Sequence, residues 1–211
     1  MGVQSSFGFT LGRMEKGRLN KITDVPGVRV GHVTRHEGDI NTGVTAILPH
    51  TGDMFHDKCP AASHVINGFG KSIGLVQVNE LGTIETPLLL TNTLSVGTAA
   101  TALVKYMLER NEDIGRDTGT VNPMVFECND GHLNDIRGLH VTEQNALDAL
   151  ANAADDFEEG AVGAGSGMSC YSLKGGIGSA SRVFELYGNK YTVGALLLTN
   201  FGTLRDLTIG G

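Results

Sequence analysis

The sequence predicts a layered α/β domain. Its 211 residues fit one folded domain and are enough to bury a full core without disulfide or metal support. Apolar runs of strand length precede and follow two segments with helical periodicity, and no repeat or linker interrupts them. The 30 glycines are spread among the apolar runs, which predicts many tight turns and close backbone contacts.

Four apolar segments in the first half of the chain are interpreted as strands. Residues 28–33 alternate between apolar and polar positions after a turn at residues 22–27, and residues 44–48 end at Pro49. Residues 75–78 and 88–90 form two further short apolar runs. Each has the length of a strand that crosses a sheet.

Two helices and three more strands complete the expected elements. Between residues 92 and 111, small and apolar residues recur at helical spacing. A second helix is expected to begin with Thr142 as its N-cap and to reach Ala154. Strands are predicted at residues 125–126, 181–184 and 192–198, and a glycine-rich turn at residues 160–168. The residues that carry the first helical pattern are Val96, Ala99, Ala100, Leu103, Val104, Met107 and Leu108.

Composition excludes several classes of partner. The net charge of -7, without a block of Lys or Arg, makes nucleic acid and anionic membranes poor partners. No apolar stretch approaches about 18 residues and no signal-like start is present, so a soluble cytoplasmic protein is expected. Cys59, Cys128 and Cys170 form no CxxC pair, which argues against a disulfide framework.

No cofactor and no metal are expected. Gly163–Gly167 approximates a phosphate-binding loop but lacks the P-loop lysine, so backbone crowding is the favoured interpretation. His32 and His36 are four residues apart, but we place them on a strand and its following turn, where they would not share a face as zinc ligands on a helix do. Ser166, Ser169 and Cys170 have no nucleophile motif around them and are assigned structural roles.

Asn200 and Glu127 are the candidate functional residues. Asn200 lies just past the apolar run 196–198, and a side-chain amide held at a strand end can donate to a developing oxyanion. Glu127 directly follows the run 125–126, where a carboxylate can hold a cationic amine. A capped turn, in which Asp130 and Asn134 bond the local backbone, explains the segment after Glu127 equally well.

Five ordered motifs give the chain a family resemblance that covers nearly its whole length. The motifs are ITDVPGVRVGH (22–32), ETPLLLTNT (85–93), DGHLND (130–135), GAGSG (163–167) with KGGIG (174–178), and TNFG (199–202). With these motifs the chain resembles the self-processing L-aminopeptidase/D-esterase family, which includes the β-peptidyl aminopeptidases.

The resemblance implies a four-layer αββα sandwich, similar in layering to N-terminal nucleophile hydrolases but with different strand connectivity. It also implies a precursor that cuts itself before a Ser or Thr, whose freed amine and hydroxyl act as base and nucleophile. Residues 1–211 would then be the larger, N-terminal part, with the nucleophile supplied by a β-chain from the same precursor. Homo-oligomers of such pairs, acting on small peptides, amides or esters, are expected.

The resemblance also assigns residues. Asn200 matches the asparagine that donates to the oxyanion, and Glu127 matches the acid that binds the free amino group of the substrate. Asn129, His132 and Asn92 border the substrate region. Two other functions stay open: acyl transfer to an amine, as in the related ornithine acetyltransferases, and a non-enzymatic binding module built on the glycine-rich segment.

Overall fold

Three α-helices are interspersed among the strands along the described chain. The computed structural model describes residues 12–209. Its strands are β1 (Arg29–Glu37), β2 (Ile40–Leu48), β3 (Cys59–Pro60), β4 (Thr83–Ile84), β5 (Leu88–Asn92), β6 (Met124–Cys128), β7 (Ser169–Cys170), β8 (Leu173–Lys174), β9 (Ile177–Leu186) and β10 (Asn189–Leu198), and its α-helices are α1 (Leu75–Leu81), α2 (Val96–Leu108) and α3 (Glu143–Ala151).

A four-stranded sheet in the order β1-β2-β5-β6 forms the centre. β1 and β2 are an antiparallel hairpin, and β2 pairs antiparallel with β5. β5 and β6 are parallel, with Asn92 opposite Cys128. A parallel pair needs a crossover connection, and α2 provides it. The carboxyl ends of β5 and β6 therefore lie side by side at one edge of the sheet.

Helices α2 and α3 cover one face of this sheet. Leu89 and Val125 from the sheet pack against Leu103 of α2 and Leu150 of α3 in one buried apolar cluster. α3 approaches β1 so closely that a Cβ on Gly31 would lie 2.2 Å from the Ala149 carbonyl oxygen. Glycine at this position is therefore required by packing.

The β9–β10 hairpin covers the opposite face. Leu196 and Leu198 of β10 point toward a cluster that contains Val30, Leu90 and Ile177. The described residues thus form three layers: helices, the four-stranded sheet and the hairpin. The α/β sandwich class is confirmed, while the fourth layer of the αββα arrangement stays a prediction. The outer face of the hairpin carries exposed apolar side chains, namely Tyr191, Val193 and Leu197.

Most predicted elements are confirmed, with longer strands than expected. The first helical pattern is α2, and Asn92 caps the turn before it by accepting from Ser95 N at 3.0 Å.

The strand predicted at residues 75–78 is wrong, because that segment is α1. A short apolar run fits either element, and left-handed glycines at both ends, Gly74 and Gly82, favour a short helix of 7 residues over an extended strand. Among residues 12–209, no helix has both the length and the apolar character needed to cross a membrane.

Thr142 caps α3 as the sequence predicts, but the helix ends at Ala151 and not at Ala154, which instead pairs with Val30 of β1. Its Oγ1 accepts from Asn145 N at 3.3 Å, and Asn145 Oδ1 accepts from Thr142 N at 3.0 Å. We expect Thr142→Ala to lower the free energy of unfolding by about 1 kcal/mol, because the backbone N–H of Asn145 loses its acceptor at the helix start. Urea unfolding measures the change. Thr101→Ala, at an exposed position inside α2, is the control and should leave stability unchanged or raise it slightly, because Ala favours the helix more than Thr does; equal losses from the two changes would contradict the capping role.

Candidate active site

Three strand ends meet at one edge of the central sheet. Parallel pairing brings Asn92, the last residue of β5, next to the end of β6. The chain that follows β10 contacts the loop after β6, because Asn200 Nδ2 donates to the Asn129 carbonyl oxygen at 2.6 Å. Cys128 Sγ lies 3.6 Å from the Leu198 carbonyl oxygen. The structure therefore joins Asn200 to the segment that follows Glu127, although 71 residues separate Asn129 from Asn200.

The Asn200 side chain is exposed at this edge. Its amide nitrogen carries two N–H groups. Among the described residues, one of the two donates a hydrogen bond, to Asn129 O. The bond to a backbone carbonyl fixes the direction of the amide plane. One N–H group consequently stays available to an incoming oxygen.

Glu127 occupies the next-to-last position of β6, inside the strand rather than just after it. Its carboxylate is half-buried: Oε1 accepts from Lys71 N at 3.0 Å, and Oε2 accepts from Thr93 Oγ1. Within residues 12–209 it has no ion-pair partner, and the Lys71 ammonium turns away to the Phe69 carbonyl oxygen at 2.5 Å. The carboxylate is therefore held in place but not neutralised by a cation.

Buried polar residues near these strand ends are held by hydrogen bonds to one another. Asn92 is 2% exposed, and its Nδ2 donates to Thr42 Oγ1 at 2.9 Å. Asp130 is fully buried and accepts from Asn134 Nδ2 at 3.0 Å, while its Oδ2 has no hydrogen-bond partner within residues 12–209. Burial raises the pKa of Asp130, and hydrogen bonds from Thr42, Asn134 and Asn92 oppose this rise. Asn134 Oδ1 also accepts from Asn41 N at 2.9 Å. Asp130 and Asn134 therefore hold the turn that follows β6 in place.

Comparison with known proteins decides the family. The model of peptidase family S58 matches residues 20–211. The chain belongs to this family. Beta-peptidyl aminopeptidase BapA of Sphingosinicella microcystinivorans is 40% identical over 205 residues, which are 92% of this chain and 50% of BapA. The chain therefore spans about half the length of this S58 relative.

Solved structures agree with the S58 assignment. A Pyrococcus horikoshii OT3 protein is 56% identical with a TM-score of 0.97, and the match covers 100% of this chain and 62% of the other. A Burkholderia sp. beta-aminopeptidase is 46% identical with a TM-score of 0.90, covering 98% and 59%. The L-aminopeptidase D-Ala-esterase/amidase of Ochrobactrum anthropi, described as a variant of the Ntn hydrolase fold, is 38% identical with a TM-score of 0.84, covering 91% and 56%. Nothing in these relatives supports the acetyltransferase or the binding-module alternative.

The glycine-rich segment of this S58 chain is closely packed. A Cβ on Gly163 would lie 2.4 Å from Thr45 Oγ1, and one on Gly167 would lie 2.1 Å from the Asn41 carbonyl oxygen. Lys174 Nζ donates to the carbonyl oxygens of Gly165, Met168 and Gly175 at 3.0, 3.1 and 2.7 Å. Burial lowers the pKa of Lys174. The predicted backbone crowding is confirmed, and the segment turns its carbonyl groups toward a lysine of its own chain.

Cys128 lies beside Glu127 but is a poor nucleophile. Burial raises the pKa of its thiol to about 11, and the nearby Glu127 carboxylate and Cys170 add to the rise. At neutral pH the thiol is protonated, and the thiolate is the nucleophilic form. Cys59, Cys128 and Cys170 are all unpaired.

The histidines are dispersed. His132 is exposed in the loop after β6. The placement of His36 in a turn after the strand is wrong, since both His32 and His36 belong to β1; the β1–β2 hairpin extends pairing to Glu37 and Ile40. His32 bonds Thr45 Oγ1 at 2.9 Å, and burial lowers its pKa. Within residues 12–209 no group of three or more His, Cys, Asp and Glu side chains could hold a metal ion.

Sequence reasoning missed two groups that hold Glu127. Thr93 follows Asn92 in the motif ETPLLLTNT, so its place after a strand end was a usable signal. The backbone N–H of Lys71 comes from a loop 56 residues before Glu127. Every residue except proline has a backbone N–H group, so such a contact does not restrict the residue type and the sequence could not reveal it.

Proposed function

We propose that this chain is the larger, N-terminal part of an aminopeptidase or amidase that hydrolyses N-terminal residues of peptides, amides or esters. The observation that carries the proposal is the 2.6 Å bond between Asn200 Nδ2 and the Asn129 carbonyl oxygen. It supports the proposal because it holds the Asn200 amide against Asn129, which follows Glu127 by two residues; we assign the amide to the oxyanion and the Glu127 carboxylate to the substrate amine. The aminopeptidase names of the S58 relatives support the same reaction class.

The proposed reaction is acyl transfer through a covalent intermediate. A Ser or Thr hydroxyl at the N-terminus of a second chain attacks the substrate carbonyl carbon, and the α-amine of that residue takes the hydroxyl proton. Asn200 stabilises the oxyanion of the tetrahedral intermediate. The proton passes to the leaving amine or alcohol, and water then attacks the acyl-enzyme to release the acid.

Glu127 is the proposed anchor for the substrate's free amino group. Thr93 Oγ1 and Lys71 N each donate a hydrogen bond to one of its two oxygens. The substrate's ammonium group would add a charge-assisted hydrogen bond to the same carboxylate. Asn129 and His132 are proposed to line the same region from the loop after β6. Asn92 is buried, so we propose that it acts by positioning α2 and the strand end.

A β-chain from the same precursor is the proposed partner. The exposed side chains of Tyr191, Val193 and Leu197 have 45, 56 and 52% of their surface accessible, an apolar row of the kind that another element usually covers. The S58 relatives are long enough to supply one, because this chain spans 50 to 62% of them. We also propose cytoplasmic homo-oligomers of αβ units.

Mass spectrometry of the full-length protein tests the two-chain arrangement. After purification under denaturing conditions we expect two polypeptides, the second beginning with Ser or Thr, because self-cleavage frees the nucleophile. Replacement of that Ser or Thr by Ala should leave one uncut chain without hydrolase activity. An active protein that contains a single uncut polypeptide would refute the proposal.

A further inference from the structure

A cavity lies at the opposite end of the central sheet from Asn92 and Glu127. Its volume is about 310 Å³, within the range of small-molecule sites. Leu48 at the end of β2, Pro87 before β5 and Met107 near the end of α2 form part of its wall. Since β5 runs from Leu88 to Asn92, the two ends are roughly 13 Å apart along the strand.

Arg29 enters this cavity without a partner. It is partly buried, its Nε is inaccessible to solvent, and that nitrogen has no hydrogen-bond acceptor in the part of the chain that the structure describes. No carboxylate of residues 12–209 forms an ion pair with it. A guanidinium nitrogen removed from water without an acceptor is costly, and an anion in the cavity would balance the charge of the group that carries it.

Arg110 brings a second positive charge to the same wall. Its Nη1 donates to the Tyr106 carbonyl oxygen at 3.2 Å, and its guanidinium carbon lies 3.5 Å from the centroid of the Tyr106 ring. These contacts orient the guanidinium group but leave its charge unbalanced. The carboxyl end of the α2 dipole opposes an anion, and the hydrogen bonds from Arg110 N and Asn111 N to the Met107 carbonyl oxygen reduce this opposition without removing it.

Among residues 12–209, no carboxylate of the wall forms an ion pair with either arginine. Asp53 is the one carboxylate that lines the cavity, and its Oδ2 accepts from His56 Nδ1 at 2.7 Å. That hydrogen bond helps to lower the pKa of Asp53, against the opposing effect of desolvation. His50 Nδ1 accepts from Gly52 N at 2.9 Å while Nε2 faces the Asp57 carbonyl oxygen at 2.9 Å, so both ring nitrogens are occupied within the loop.

We propose that this cavity binds a small organic anion whose carboxylate or phosphate group is held by Arg29 and Arg110. A planar guanidinium group matches the oxygens of both anions. The apolar wall of Leu48, Met54 and Pro87 fits an apolar group attached to the anion. This site is independent of the proposed hydrolase reaction, since it uses no residue assigned to that reaction.

Calorimetry on the full-length protein at fixed ionic strength tests the site. The probes are benzoate, phenyl phosphate and inorganic phosphate, with neutral benzamide as the isostere control. We expect benzoate or phenyl phosphate to bind at one site per chain, and benzamide to give no heat. The tighter of the two identifies the anionic group, and inorganic phosphate shows how much the apolar part contributes.

Two substitutions locate the binding. Arg29→Gln and Arg110→Gln should each weaken the tighter probe about tenfold or more, because each removes a charge-assisted bond. Arg137→Gln, at an exposed position outside the cavity, should leave the affinity unchanged. Arg110 is exposed, so its variant decides the question if the Arg29 variant does not fold. Absence of binding at millimolar probe, equal binding of benzamide, or unchanged affinity in the Arg110 variant would overturn the proposal.

Discussion

Replacing Asn200 by Ala is expected to lower kcat by about 100- to 1,000-fold with little change in KM. The amide is proposed to donate to an oxyanion that exists only during the reaction, and loss of one such donor has an effect of this size. The change removes one hydrogen bond of an exposed side chain, to Asn129 O, so the fold should survive. Steady-state kinetics on an amino-acid p-nitroanilide, with circular dichroism as a check of folding, measures both effects.

Asn189→Ala is the matched control for this result. Asn189 begins β10, while Asn200 follows the end of the same strand, and both side chains are exposed. The control should keep the activity of the unmodified protein. If Asn200→Ala keeps kcat within a few-fold, or if both variants lose activity equally, Asn200 is not the oxyanion donor.

Replacing Glu127 by Gln is expected to discriminate between substrates. For a substrate with a free amino group, kcat/KM should fall by about 10- to 100-fold, because a charge-assisted bond to the ammonium group becomes a neutral one. For an ester of the matching acid without the amino group, kcat/KM should hardly change. Gln keeps an oxygen that can accept from Thr93 Oγ1 or Lys71 N, so the local structure is largely retained.

Glu143→Gln provides the control for the charge change itself. Glu143 lies on α3, away from the strand ends, and forms an exposed ion pair with Lys105 at 2.6 Å. This variant should treat both substrates as the unmodified protein does. Equal losses on the amine-bearing and amine-free substrates in Glu127→Gln would contradict an anchoring role and indicate a general disturbance of the site.

The sequence predicts the fold well where periodicity is long or caps are specific. α2 shows its helical spacing over 13 residues, and the capping box at Thr142 marks the start of α3. The prediction is wrong at residues 75–78, because a short apolar run carries too few positions to separate a strand from a helix. The two-residue strands β3, β4, β7 and β8 were not predicted, since each is defined by its partner rather than by its own pattern.

The candidate site is predictable only in part for a similar reason. Asn200 and Glu127 each follow or end an apolar run, which local sequence shows. Their neighbourhood depends on the parallel pairing of β5 with β6 and on the contact of Asn200 with Asn129 across the chain. Hydrogen bonds to backbone groups set these contacts, and such bonds place no constraint on residue type.

The parallel pairing of β5 and β6 within an otherwise antiparallel sheet has a consequence for how this protein can change. Thr93 and Asn129 lie beyond the last paired residues of their strands. Under the proposed function, substitutions there alter what the edge recognises while the backbone ladder stays complete. On that proposal, substrate preference can be retuned at these two positions one exchange at a time, without the scaffold having to be rebuilt around each new choice.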